Sequence, residues 1–194
     1  MKLGLEAQDA EEQQVWPEAL RRMGRGLLRV PRRFAWLPAL AWAGLIFALS
    51  SHHAPLGKLP GNFPISLLGN AAHAFEFGVL LLLLVPFLPR SSNWVIWTPF
   101  SSCVLSVLVF LYAVTDEVHQ SRVPGRDASL LDLCTDLAGI LCVYWVVRRL
   151  ENERLTSKEL KVILGRAVVL CLACAAAATV WGRIWLDGPW PFPA

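Results

Sequence analysis

The chain has 194 residues, 55% of them hydrophobic and only 17% charged, a balance that excludes an ordinary soluble domain, where about a quarter of residues carry charge. The net charge is +3, yet no basic run is interleaved with stacking aromatics, so a nucleic-acid partner is excluded. The five Cys are odd in number and sit inside apolar segments, which argues against a disulfide framework.

The apolar residues form blocks long enough to cross a bilayer, for which about 20 residues are needed. The expected fold class is all-α, a polytopic bundle of about five transmembrane helices. Nine Trp and thirteen Pro suit it, because Trp collects at membrane interfaces and Pro is commoner in membrane helices than in soluble ones.

Residues 1–33 form a polar leader. Met1 to Gln14 is acidic and expected to be poorly ordered. From Trp16 to Val30, the residues Trp16, Leu20, Met23, Leu27 and Val30 recur every three or four positions, with Arg21, Arg22, Arg25 and Arg29 between them. That spacing fits either a basic helix on a membrane surface, with Pro17 in its first turn, or a loose tether. Phe34 to Ser50 is the first membrane helix. Its charged leader is too long for a signal peptide, so it reads as an uncleaved anchor. Ser51 to Pro64 is a Pro- and Gly-rich loop in which His52 and His53 are solvated.

The second helix is expected over Leu67–Leu88, the third over Trp94–Gln120 and the fourth over Ser129–Val147, with Ser129 as its N-cap and Asp132 three residues on. Together, residues 34–147 form a four-helix membrane domain. Residues 148–161 are a charged connection in which Glu151 or Glu153 can pair with Arg154. The fifth membrane helix starts at Val162 and leads, within 162–194, to a Pro- and Trp-rich tail. Cys171 and Cys174 share a helix face there, but small buried hydrophobes among alanines explain them better than a redox or metal pair. With five spans, one side holds fourteen of the eighteen Lys and Arg and the other holds four. The expected location is the bacterial cytoplasmic membrane, with the N-terminus cytoplasmic and the C-terminus outside.

Ionisable residues inside membrane segments are functional candidates by default, because they are expensive there. His73 and Glu76 share a face of the second helix, Asp116 shares one with His119 and Gln120, and Asp132 and Asp136 are four apart on the fourth. His73 lies six residues into its helix and Asp136 six or seven, so both are expected roughly 9 Å below their helix starts. The candidates for ligand binding are therefore His73, Glu76, Asp116, Glu117, His119, Gln120, Arg122, Arg126, Asp132 and Asp136. They are expected to meet in a hydrated hollow of the outer leaflet.

Three segments carry a resemblance. They are Ile46 to Ser51 (like F-x-L-S-S), Asn70 to Gly78 (like D-K-x-x-H-x-x-x-Y), and Asp116 to Gly139 (like D-E-x-x-Q-x-x-x-P-x-R followed by D-x-x-x-N-x-x-G). Over roughly residues 35–147 the chain resembles the VanZ-like membrane proteins. That resemblance implies a role in the bacterial cell envelope, the family being associated with teicoplanin resistance, and it carries no settled activity. The chain departs from the pattern at Asn70 and Ala71, where Asp-Lys is common, and at Asp136, where Asn is frequent.

Three readings are open. One is a protein binding a lipid headgroup, glycolipid or glycopeptide-type ligand, with Arg122 and Arg126 on phosphate. A second is a membrane-embedded hydrolase or transferase whose N and O ligands hold a divalent metal, although no H-E-x-x-H motif is present. The third is a structural network of ion pairs and helix caps. No catalytic residue, resident metal, cofactor or oligomeric state is assigned.

Overall fold

The computed structural model describes the backbone of residues 2–52, 63–91, 94–124 and 128–185, with side chains from residue 14 to 182 of those ranges. His53, most of the following loop, Arg126 and the tail beyond Trp185 lie outside the described residues. The elements are α1 (Lys2–Leu28), α2 (Arg32–Ser51), α3 (Phe63–Leu84) with a 3-10 turn at Val85–Phe87, α4 (Pro99–Gln120), α5 (Leu130–Leu150) and α6 (Ser157–Trp185). Five of them, α2 to α6, are long and apolar enough to cross a membrane.

Helix ends follow local chemistry. Thr98 and Ser101 form a reciprocal capping box with Pro99 at the first helical position, so α4 begins at Pro99 rather than at Trp94. The apolar residues before it are extended instead, with Ser91 N–H donating to the Trp94 carbonyl and Ile96 N–H to that of Pro89. Ser129 caps α5, its hydroxyl oxygen accepting from Leu131 N–H at 3.2 Å. α3 starts at Phe63, four residues earlier than the apolar run suggests, and ends at Leu84. The charged connection shrinks to residues 151–156. Arg148, at the end of α5, pairs with Glu151, and among the described residues no ion pair joins Arg154 to Glu151 or Glu153.

α3 is the centre of the bundle. It packs on α2, α4, α5 and α6, most extensively on α5. Ile46, Phe77, Leu81, Val109 and Ile140 are fully buried between these helices. Outward, Leu68, Phe75, Phe100, Leu108, Leu111 and Val169 are exposed. Apolar residues on both the inside and the outside are what a lipid solvent permits and water penalises.

The leader is one helix from Lys2, so the expected disorder is corrected over Lys2–Gln14, Met1 lying outside the described residues, and Pro17 lies in the helix interior rather than its first turn. Of the apolar series Trp16, Leu20, Met23, Leu27 and Val30, Leu20 packs beside Leu150, Leu155, Leu160 and Ile163. Trp16 and Met23 are 58% and 73% exposed, whereas Pro17 and Arg21 are buried. Two local facts rotate it. A Cβ on Gly24 would fall 2.4 Å from the Trp94 ring, so only glycine admits that contact. Arg21 donates from Nε to the Leu150 carbonyl (3.0 Å) and from Nη2 to the Asn152 carbonyl (2.7 Å), capping the end of α5. Arg25 beside Glu18 holds that carboxyl below its ordinary value. Hydrogen bonds from charged groups contribute about 1.5–3 kcal/mol each, so Arg21→Ala is expected to release α1 from α5. Amide hydrogen exchange across residues 14–28 would rise at least tenfold. Unchanged protection would show that the apolar contacts alone hold the helix.

Candidate functional site

The bundle gathers its polar residues at one end, where α2 and α4 finish and α5 begins. Three contacts organise them. Asp116 accepts from Ser50 Oγ at 2.6 Å and from Gln120 Nε2 at 2.7 Å, tying α2 to α4, with all three residues buried. His119 Nε2 lies 2.9 Å from Ser51 Oγ, and its ring is 4.5 Å from that of Phe47. Glu117 Oε2 accepts from Ser129 N–H at 2.8 Å. That N–H is the one a capping box satisfies from within its own helix. Here α4 supplies the acceptor for α5.

The deepest group is different. Asp136 on α5 is wholly buried, and its Oδ1 is 3.2 Å from His73 Nδ1 on α3. The contact has ion-pair distance without hydrogen-bond alignment, so neither Asp136 oxygen has a hydrogen-bond partner; nor does Glu117 Oε1. A ring nitrogen of His73, a carboxylate oxygen of Glu117 and one of Asp132 all lie within 4.8 Å of one another. Three helices thus each contribute one group to a single point.

A glycine makes this possible. Gly139, one turn beyond Asp136, meets α3 so closely that a Cβ there would lie 2.0 Å from the Ala74 carbonyl oxygen. α3 and α5 therefore touch backbone to backbone, and His73, the neighbour of Ala74, faces Asp136. His73 is ten residues into α3, not six, because the helix starts at Phe63. Asp136 is six residues into α5. The two meet even though their counts from the helix starts differ.

A family model described as VanZ/LLP1 matches residues 30–151. The chain belongs to the VanZ/LLP1 family. No curated protein and no solved structure matches it. The VanZ/LLP1 match takes in α2 to α5 and stops before α6. Every polar contact of the α2–α5 junction described above lies inside it.

Of the residues singled out from the sequence, His73, Glu117, Asp132 and Asp136 converge, and Asp116 with Gln120 forms the adjoining network. Glu76 is half-buried one turn from His73, and its carbonyl accepts from Trp42 Nε1. Arg122 is exposed just past the end of α4. Ser50 and Ser51 were not among the candidates, although the F-x-L-S-S resemblance already pointed at them. The Cys171–Cys174 spacing is not the close contact. Cys171 lies 3.7 Å from Cys142 across α5 and α6, and Cys142 faces the Ala167 carbonyl. The two described clefts, of about 390 and 410 Å³, are at the opposite end beside Arg21, Trp94 and Glu151.

Proposed function

We propose that this VanZ/LLP1 protein binds the headgroup of a cell-envelope lipid, a glycolipid or a glycopeptide-type ligand at the junction of α3, α4 and α5. One observation carries the reading: Asp136 and Glu117 keep buried acceptor oxygens without hydrogen-bond partners. A network serving only to brace helices pairs its buried polar atoms, because each orphan costs about 1–3 kcal/mol. Buried acceptors call for a ligand rich in donors, such as sugar hydroxyls, amides or amines. Arg122, exposed past the end of α4, suits a phosphate at the rim. The excess of Lys and Arg on the N-terminal side supports a cytoplasmic N-terminus and, with it, a junction in the outer leaflet of a bacterial cytoplasmic membrane. A second reading, a hydrolase or transferase embedded in the bilayer, draws support from the grouping of His73, Glu117 and Asp132.

The test is His73→Asn in cells, read as protein abundance and teicoplanin tolerance together, with lipid analysis of the purified protein. Abundance is expected to stay within about twofold, since asparagine still offers the buried Asp136 an amide donor where His73 Nδ1 stands. Tolerance and any co-purified glycolipid are expected to be lost. A collapse in abundance, or unchanged lipid and tolerance, would sink the proposal.

A further inference from the structure

We infer that His73, Glu117 and Asp132 form a divalent-cation site, with Asp136 as the residue that orients His73. This goes beyond headgroup binding and does not depend on it. The donor set is one imidazole and two carboxylates, a mixture that suits zinc or manganese rather than a thiolate-seeking ion. Each ligand comes from a different helix, so a bound ion would pin α3, α4 and α5 at one point.

Geometry supports the assignment. Tetrahedral ligands at about 2.0–2.2 Å from zinc stand roughly 3.3–3.6 Å apart. The three donor atoms already lie within 4.8 Å of one another, so small side-chain rotations close the site. Metal-bound histidines almost always give their other ring nitrogen to a carboxylate, which fixes the ring. Asp136 Oδ1 stands 3.2 Å from His73 Nδ1, so the assignment gives Nε2 to the ion.

A second observation is independent of the grouping. Glu117 is 5% exposed, yet its Oε1 lacks a hydrogen-bond partner. Buried carboxylates are normally paired or coordinate metals. Glu117 is already tied to Ser129 N–H through Oε2, which holds the carboxylate still while its other oxygen stays available. Asp136 has no such tether besides His73.

The probe is the metal alone. The full chain is purified in detergent, stripped with chelator, and titrated with Zn²⁺ and separately with Mn²⁺, with bound metal counted by mass spectrometry. One ion per chain is expected, together with a rise in melting temperature. Glu117→Gln keeps an acceptor for Ser129 N–H but removes the charge, and Asp132→Asn changes a half-buried residue in the first turn of α5. Both are expected to weaken binding at least tenfold while the protein remains monodisperse. Asp136→Asn is expected to weaken it about 10- to 100-fold through His73 alone. Cys171→Ser should bind as the unaltered chain does, which separates this site from the thiols near α6. Folded protein that takes up no saturable cation, or Glu117→Gln and Asp132→Asn variants that bind normally, would overturn the assignment. Neither result would touch glycolipid co-purification, so the cation site and the headgroup site fail separately.

Discussion

Replacing Gly139 by alanine is expected to lower the melting temperature of the detergent-solubilised protein by about 5–10 °C and to abolish ligand and metal binding with it. The added methyl would sit 2.0 Å from the Ala74 carbonyl oxygen and 2.7 Å from the Ala74 Cα. Both are backbone atoms, so no rotamer change relieves the clash; α3 and α5 must separate. Overpacking of a close-packed interior costs typically about 1–3 kcal/mol, and more where backbone has to move. In a chain of this size each kcal/mol corresponds to roughly 2–4 °C. Separation of these two helices also withdraws His73 from Asp136, which is why stability and binding fall together. Gly165→Ala is the matched comparison, because a Cβ there meets nothing within 4 Å. Alanine is favoured over glycine in a helix interior by up to about 1 kcal/mol, so that variant is expected to be as stable as the parent or slightly more so. Equal melting temperatures for the two variants would mean that the α3–α5 contact is looser than the structure has it.

The spans could be read from composition because hydrocarbon leaves a chain few options. A run of about 20 apolar residues becomes a helix that satisfies its own backbone. Ser129 could be placed as a cap for the same local reason. The third helix could not be started correctly, since Trp94 to Trp97 is as apolar as the helix itself, and only Pro99 with the Thr98–Ser101 capping box marks the boundary. The leader is legible only in part. Its apolar series of Trp16, Leu20, Met23, Leu27 and Val30 marks a helix, with Trp16 and Met23 left exposed as on a membrane-surface face. The face that docks on the bundle is set by partners far along the chain: Trp94 against Gly24, and the Leu150 and Asn152 carbonyls on Arg21. The convergence of His73 with Asp136 was legible as two polar pairs at one end of the bundle. Which carboxylate would be partnered and which left without hydrogen bonds was not, because that depends on the facing of helices that only close packing at Gly139 decides.

The sharpest division in the polar cluster is between Asp116 and Asp136, and substituting each should give opposite phenotypes. Asp116 has both oxygens occupied, by Ser50 from α2 and by Gln120 one turn along α4. Asp116→Ala removes the link between the helices and leaves the Gln120 amide without its acceptor at a residue only 2% exposed. Ser50 loses less, since its hydroxyl still reaches the Ile46 carbonyl at 2.9 Å. Losing a charge-assisted hydrogen bond and stranding a buried amide costs about 2–4 kcal/mol, so a fall of about 5–10 °C in melting temperature and reduced abundance are expected. Asp136→Asn changes no volume and removes a charge whose oxygens make no hydrogen bond. Asparagine is also the residue the VanZ-like pattern resembled here often carries. Its stability is expected to fall by less than about 1 kcal/mol, because breaking a buried ion pair is severe only when a lone charge is left behind. His73 then faces an amide oxygen in place of the carboxylate. Binding of headgroup or cation should nonetheless drop at least tenfold. Measuring melting temperature and binding on both variants separates brace from site. If Asp136→Asn unfolds the protein while Asp116→Ala leaves it intact, the roles assigned to the two carboxylates are reversed.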